Sequence, residues 1–196
     1  PKLDALEPGT NIVQKPRDSN TVWLDLLEQD PSRRFKAFPL QYRNVQGSPG
    51  HSQRIGVAFS PDGVHWSQAD HHSLVVRDRS TVFYNPFRDV WVYSIKVRPV
   101  VKAKAGSDRE YVPLTRSRAY RETRDVTAPW REEEIVPWVG ADNLDGARND
   151  GIDTQTLGGQ QLYNLDAVAY ESIMLGMFAI FHGNGTGPDG RYHMNA

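Results

Sequence analysis

A repeat of about sixty residues constrains the fold of this chain more than any other feature of its sequence. The segment Asp18-Ser-Asn-Thr-Val-Trp-Leu-Asp25 is matched, at an offset of 60 residues, by Asp78-Arg-Ser-Thr-Val-Phe-Tyr-Asn85. A second pair of segments, 54–66 and 116–130, follows in the same order, and each member ends in a tryptophan. A looser third copy covers 162–181. Repeats of this kind predict several copies of one supersecondary unit.

Each copy has the composition of short β-strands joined by turns. Val, Ile, Phe, Tyr, Trp and Thr dominate the apolar runs, and turn-forming residues separate these runs. In the turn Ser60-Pro-Asp-Gly63, we expect Asp62 to accept hydrogen bonds from backbone amides and Gly63 to take a positive φ. The one run that approaches a helical period, 168–178, is rich in β-forming residues and contains a glycine. The predicted fold class is therefore all-β.

Repeated sets of three or four short strands predict a β-propeller of four-stranded antiparallel blades. We expect one blade over 10–67, a second over 75–131, an insertion loop over 139–160 and a partial blade over 161–196. Both ends then look unfinished, so the chain would be an internal piece of a single propeller domain with about two and a half blades. A β-sandwich with accidental strand similarity is the alternative. The matched order of three separate elements favours the propeller.

Composition excludes several classes of function. Lys and Arg total 23 and Asp and Glu total 24, so neither nucleic acid nor a membrane surface is an expected partner. No apolar run approaches the roughly 20 residues that a membrane-spanning helix needs. Cysteine is absent, which excludes disulfides and cysteine nucleophiles. These features fix neither the oligomeric state nor the compartment, and they are compatible with a periplasmic or secreted location.

Three segments carry a resemblance to a known group of proteins. Ser-Pro-Asp-Gly-Val-His-Trp (60–66), Asp-Arg-Ser-Thr-Val-Phe-Tyr-Asn-Pro-Phe-Arg (78–88) and Gln-Leu-Tyr-Asn-Leu-Asp-Ala-Val-Ala-Tyr-Glu-Ser (161–172) resemble bacterial proteins related to glycoside hydrolase families 32 and 43. Those families are five-bladed β-propellers. The resemblance covers about residues 10–182 at the level of the blade pattern.

The resemblance implies an axial funnel with carboxylates on the innermost strands of different blades. One carboxylate acts as nucleophile or base, one as general acid, and a third holds the sugar and tunes the acid. Asp78, preceded by Arg77, is similar to the element that stabilises the transition state in family 32. Glu171 stands where the family places its general acid. The chain departs from the family pattern in Arg79 after Asp78 and in Ser172 after Glu171.

The residues themselves offer the chemistry that glycoside hydrolysis needs. Two carboxyl groups must lie about 5–5.5 Å apart for retention or roughly 6.5–9.5 Å apart for inversion, and one must stay protonated. Glu171 lies among Ala169, Tyr170 and Ile173, whose apolar side chains would raise its pKa. An ordinary strand-edge carboxylate paired with an arginine is the alternative for Glu171. Asp166, at the start of the innermost strand of the third copy, is a further catalytic candidate.

Five residues are predicted to bind the substrate: Asp18, Arg77, Arg79, Tyr163 and Phe83. The arginines would hold sugar hydroxyls or a carboxylate, and the aromatic rings would stack on a sugar face. Structural alternatives stay open. Asp18 and Asp78 occupy the same place in the repeat and would both cap a strand or turn, and the arginines would pair with neighbouring acids.

No metal or organic cofactor is expected. His71 and His72 are adjacent, and neighbouring residues on a strand point to opposite faces. The acidic stretch 142–153 lacks the ligand spacing of an EF-hand and fits better as a loop over the funnel rim.

The expected function is hydrolysis of glycosidic bonds in a carbohydrate substrate, with Glu171 as acid and Asp78 or Asp166 as stabiliser. Two alternatives stay open. One is a carbohydrate-binding propeller without catalysis, and the other is a purely structural or protein-interaction propeller.

Overall fold

The computed structural model describes residues 10–14, 19–44, 51–98, 116–142, 144–145, 160–186 and 192–195. These residues form β-strands and turns, with two short 3-10 segments, Pro31–Arg33 and Glu132–Glu134, and the predicted all-β class is confirmed. Within these ranges, no helix has the length and apolar character needed to cross a bilayer.

The first sheet contains four antiparallel strands in sequence order. They are β1 (Asn20–Leu24), β2 (Phe35–Asn44), β3 (His51–Ser60) and β4 (Ser67–His72). The pairing of β3 with β4 shifts register between Gly56 and Ala58.

The second sheet repeats this arrangement. It is built from β5 (Thr81–Asn85), β6 (Val90–Val97), β7 (Ser117–Thr123) and β8 (Val136–Gly140), again antiparallel and in sequence order. β5 occupies the place in this sheet that β1 occupies in the first, as the repeat predicted.

The remaining strands form two hairpins. β9 (Gln161–Tyr170) pairs with β10 (Ile173–Phe181), and β11 (Gly183–Thr186) pairs with β12 (Tyr192–Asn195).

The fourth strand of each sheet lies beyond the predicted end of its unit. The predicted units ended near Trp66 and Trp130, but β4 runs to His72 and β8 runs to Gly140. Each tryptophan therefore precedes the last strand of its sheet instead of closing it. Most of the predicted insertion loop over 139–160 lies outside the described residues.

The turn before β4 has the predicted chemistry. The Asp62 carboxylate oxygen Oδ1 accepts hydrogen bonds from the amides of Val64 at 2.9 Å and His65 at 2.8 Å. Gly63 has a φ of 78°, in the left-handed region that glycine enters without a steric penalty. Both expectations for this turn are confirmed.

The main hydrophobic core joins the two sheets. Every residue of β6 is buried except Val97, which is half-buried. Trp91 on this strand lies 6.0 Å from Trp23, 5.5 Å from Phe38 and 5.2 Å from Tyr84, measured between ring centroids. Aromatic pairs at these separations add to the free energy gained by burying their area.

The first strands of the three successive units lie side by side. The Val82 amide on β5 donates to the Thr21 hydroxyl on β1 at 3.3 Å, and the Thr81 hydroxyl donates to the Leu165 carbonyl on β9 at 3.0 Å. This adjacency brings together side chains that are far apart in sequence.

Candidate functional site

Asp78 lies in a tight turn immediately before β5. The amide and hydroxyl of Ser80 both donate to the Arg77 carbonyl, at 3.3 Å and 2.7 Å. The Asp78 amide donates to the Gln53 side-chain oxygen at 2.7 Å. This turn faces the end of the second sheet at which β5 and β7 begin and β6 ends, which we call the strand-start end.

The turn before β5 has a counterpart before β1. Ser19 and Arg79 occupy matching positions in the repeat, and both have a left-handed φ, 50° and 64° respectively. The Arg79 amide donates to the Ser19 hydroxyl at 2.9 Å, so the two turns are joined directly. Since both repeats have a left-handed residue at this position, the conformation has a structural role: it shapes the turn that leads into β1 and into β5. Asp18 itself lies outside the described residues.

Asp78 forms an ion pair with a buried lysine. The Lys96 ammonium lies 2.5 Å from the Asp78 carboxylate oxygen Oδ1. The Lys96 side chain is 6% exposed and the Asp78 side chain is 43% exposed. The pair therefore anchors the carboxylate from inside the protein while leaving part of it open to solvent.

The surroundings of Asp78 favour its ionised form. Partial burial alone would raise the pKa of this carboxyl group, but the hydrogen bond from Lys96 and the charges of Lys96, Arg116 and Arg79 outweigh burial. The net result is a pKa of Asp78 below its ordinary value. At neutral pH, Asp78 is thus a fixed, partly exposed negative charge.

Four cationic residues lie on one face at the ends of β6 and β7. Lys96 is directly opposite Arg118 in the antiparallel pairing, and cross-strand partners project to the same face. Arg98 and Arg116 lie two residues further toward the strand-start end on each chain segment, so strand alternation continues the same face. We call Lys96, Arg98, Arg116 and Arg118 the basic cluster.

Arg118 is the most deeply buried member of the basic cluster. It is 1% exposed, and burial lowers the pKa of its guanidinium to about 10. Nη1 donates to the Arg79 carbonyl at 2.5 Å, and Nη2 donates to the Tyr163 carbonyl. The nearby carboxylates of Asp166 and Asp78 oppose the effect of burial. Arg118 thus ties the turn before β5 to the first strand of the next unit.

Tyr163 and Asp166 approach this end from β9. The Tyr163 ring stacks on Phe181 with centroids 5.8 Å apart, and the guanidinium carbon of Arg116 lies 5.3 Å from the Tyr163 ring centroid. Asp166 accepts a hydrogen bond from the Asn164 side-chain amide at 3.1 Å. Tyr163, Asp166 and Asp78, all predicted as site residues, therefore gather around Arg116 and Arg118.

Glu171 lies elsewhere. It belongs to the two-residue loop between β9 and β10, is exposed, and has a left-handed φ of 51°. The hydrogen bond between Thr81 on β5 and Leu165 on β9 fixes how far along their strands these two residues lie. Glu171 comes six residues after Leu165, whereas Asp78 comes three residues before Thr81, so the two carboxylates lie in opposite directions from this hydrogen bond. The six residues from Leu165 to Glu171 alone span roughly 20 Å of strand. That distance exceeds the roughly 9.5 Å that the two carboxyl groups can be apart, so the structure does not bring Glu171 and Asp78 together.

Phe83 is also away from Asp78. It is 6% exposed and packs with Val90 and Val92 against the β9–β10 hairpin, so its ring belongs to the hydrophobic core. With Met174 and Trp138, it lines an apolar cavity of about 240 Å³ between that hairpin and the second sheet. The two arginines predicted to bind the substrate, Arg77 and Arg79, are both exposed. The guanidinium carbon of Arg79 lies 5.7 Å from the Tyr163 ring centroid.

A second, polar cavity of about 360 Å³ lies at the opposite end, where β1 and β5 finish. There the buried Lys36 ammonium lies 2.8 Å from both the Asp25 and the Glu28 carboxylates. Arg33 and Arg124 lie within 4.0 Å and 3.7 Å of Glu28 and Asp89. Each cation that lines this cavity has a carboxylate within 4.0 Å.

The described ranges contain no group of three or more His, Asp or Glu side chains arranged to hold a metal ion. His71 is partly buried, and burial together with nearby Arg121 lowers its pKa, which keeps its imidazole neutral at pH 7. Most of the acidic stretch 142–153 lies outside the described residues.

Sequence reasoning missed the basic cluster. The signal was present as two i, i+2 pairs, Lys96-Val-Arg98 and Arg116-Ser-Arg118, since alternate residues of a strand share a face. What the sequence does not supply is the register that places Lys96 opposite Arg118.

Comparison with known proteins found no matching family model, no matching curated protein and no matching solved structure. Function is therefore argued from the site, because a fold alone does not determine it.

Proposed function

We propose that this chain forms part of a carbohydrate-active β-propeller whose sugar site lies at the strand-start end, around Asp78. Two features support a propeller arrangement. Successive antiparallel sheets have the same strand order, and the first strands β1, β5 and β9 are neighbours. A propeller places the first strand of each blade beside the central axis.

The ionised, anchored carboxylate of Asp78 carries the functional proposal. Glycoside hydrolysis passes through an oxocarbenium-like transition state, which a fixed negative charge stabilises. Lys96 and the turn hold Asp78 in place, and its lowered pKa keeps the negative charge at neutral pH. The same lowered pKa makes Asp78 unsuitable as the proton donor, so the general acid is a different residue. The Tyr163 ring is half-buried, stacks on Phe181 and lies near Arg116, whose charge acts on Asp78. Its solvent-exposed part is where a sugar ring would make contact.

A carbohydrate-binding propeller without catalysis is the second candidate. It is favoured by the position of Glu171, roughly 20 Å beyond the level of Thr81 along the strand direction, on the side away from Asp78. Among the described residues, Asp166 is the carboxylate besides Asp78 whose charge acts on Arg118. In this version, Asp78 and Asp166 accept hydrogen bonds from sugar hydroxyls and transfer no proton.

The test is a panel of glycosides and oligosaccharides assayed with the wild type, Asp78→Asn, Glu171→Gln and Arg124→Gln. Loss of a preorganised charge at a transition state costs about 10²–10³ in kcat. We expect that loss in Asp78→Asn and near wild-type kcat in the other two variants. Sugar binding without turnover in any assay supports the second candidate. If no sugar is bound or hydrolysed, both candidates fail.

A further inference from the structure

We infer that the sugar recognised at the strand-start end carries an anionic group, a carboxylate or a sulfate, which the basic cluster binds. This inference rests on the proposed carbohydrate function and specifies its substrate class. It is carried by the placement of Lys96, Arg98, Arg116 and Arg118 on one face of β6 and β7.

The arrangement is costly for a protein that does not use it. Like charges directly opposite each other on neighbouring strands destabilise a sheet, and Lys96 faces Arg118 in this way. Both side chains are buried, so water screens their repulsion poorly. Apolar residues at these two positions would fit an ordinary sheet interior better.

The carboxylates nearby do not balance the cations. Among the described carboxylates, those of Asp78 and Asp166 act on Lys96, Arg116 and Arg118, while Arg98 adds a further positive charge that acts on Lys96 and Arg116. The four cations of the cluster and these two anions leave an excess of two positive charges. This excess is local, because the cations of the far cavity each have a carboxylate within 4.0 Å.

Hydrogen-bond donors of the cluster are also left over. The buried Nε atoms of Arg98, Arg116 and Arg118 have no hydrogen-bond partner among the described residues. Arg33 Nε and Arg121 Nη1, outside the cluster, also lack a hydrogen-bond partner, but among the described residues the basic cluster combines three such donors with an excess of positive charge. An external acceptor would satisfy these donors. Carboxylate and sulfate oxygens are the acceptors that match the planar donor fork of arginine.

Arg116 is the member best placed to select the ligand. Its guanidinium carbon lies 4.4 Å from the Phe181 ring centroid and 5.3 Å from that of Tyr163, and its Nη1 donates to the Gln161 side chain at 2.9 Å. These contacts fix the guanidinium beside the aromatic face proposed for the sugar ring. A ligand with a ring and an anionic substituent can therefore meet Tyr163 and Arg116 together.

Calorimetric titration of matched ligand pairs tests the inference. The ligands are oligogalacturonate with its methyl-esterified form, a sulfated oligosaccharide with its desulfated form, and inorganic sulfate. The proteins are the wild type, Arg116→Gln, Arg116→Lys and Arg98→Gln, with Arg124→Gln as the control. Arg124 has the same charge but is 76% exposed, beside Asp89 at the opposite end. Circular dichroism confirms that each variant is folded.

We expect one anionic ligand to bind at least about tenfold more tightly than its neutral partner, and added salt to weaken that preference. Arg116→Gln should abolish the preference, Arg116→Lys should keep part of it, and Arg124→Gln should leave it unchanged. If Arg116→Gln is unfolded, Arg98→Gln gives the decisive loss. Whether the uronate or the sulfated pair shows the preference identifies the anionic group.

Equal binding of charged and neutral partners would overturn the inference and leave the proposed function intact. So would an anionic preference that survives both Arg116→Gln and Arg98→Gln. Binding of inorganic sulfate that Arg116→Gln abolishes, without binding of any oligosaccharide, would support an anion site and refute the carbohydrate function.

Discussion

The ion pair between Asp78 and Lys96 should respond very differently to loss of its two partners. Asp78→Asn leaves the Lys96 ammonium, 6% exposed, without its described acceptor and opposite Arg118. Removing one partner of a buried ion pair costs about 3–5 kcal/mol. Asp78 is 43% exposed, so water already weakens the pair, and a cost of about 2–3 kcal/mol is expected.

Lys96→Met should cost less, about 1 kcal/mol or below, because the remaining Asp78 keeps contact with solvent and with Arg79 and Arg116. It also removes the like-charge contact with Arg118. The double variant should be close to Lys96→Met alone, since no buried ammonium then remains unpaired. Urea denaturation, with the slope checked for constancy, gives all three free energies of unfolding.

The contribution of Asp78 to the free energy of unfolding should also depend on pH. The pKa of Asp78 is lower in the folded protein than in the unfolded chain, where it is about 3.9. Its contribution to stability is therefore complete above that pH and is lost as the pH falls through the folded-state pKa. The penalty of Asp78→Asn should shrink below about pH 4. A Lys96→Met variant less stable than Asp78→Asn, or a destabilisation by Asp78→Asn that grows in acid, would contradict this description of the ion pair.

Three further substitutions test the fold. Trp91→Ala, in the aromatic core, should cost about 3–5 kcal/mol and lower the Tm by roughly 10 °C; a shift under two degrees in a thermal melt would contradict the described packing. Gly63→Ala forces a residue with a Cβ to a φ of 78° and should cost about 1 kcal/mol in urea denaturation, whereas an unchanged midpoint would argue against that turn. Glu171 has a φ of 51°, which asparagine tolerates better than glutamate, so Glu171→Asn should stabilise the protein by up to about 1 kcal/mol and leave hydrolysis unaffected. Loss of turnover in this variant would show that Glu171 takes part in catalysis.

The sequence predicted the strands well because the relevant signals are local. Runs of β-branched and aromatic residues, and the turn at Asp62 and Gly63, depend on neighbours along the chain. The repeat added that β1 and β5 hold equivalent places, which the two sheets confirm. The last strand of the first sheet was missed because Ser67–His72 is mostly polar and has no strong strand pattern. The apolar strand Val136–Gly140 was missed because the second unit was expected to end at 131.

The candidate site was harder to predict because it depends on pairing between distant segments. Glu171 was expected on an inner strand, and Tyr170-Glu-Ser-Ile173 contains none of the Gly, Asn or Asp residues that mark a hairpin turn. The pairing of Tyr170 with Ile173 places Glu171 in the hairpin loop, and this pairing is set by the register along the whole length of β9 and β10. Likewise, the register of β6 and β7 alone places Lys96 against Arg118.

A crystal structure of the protein soaked with a short anionic oligosaccharide, such as trigalacturonate, tests the central claim most directly. We expect sugar density at the strand-start end, with a carboxylate on Arg116, a ring against Tyr163, and Asp78 within hydrogen-bond distance of the sugar. Density in the far cavity beside Asp25 and Asp89, or in the apolar cavity beside Phe83, would contradict it.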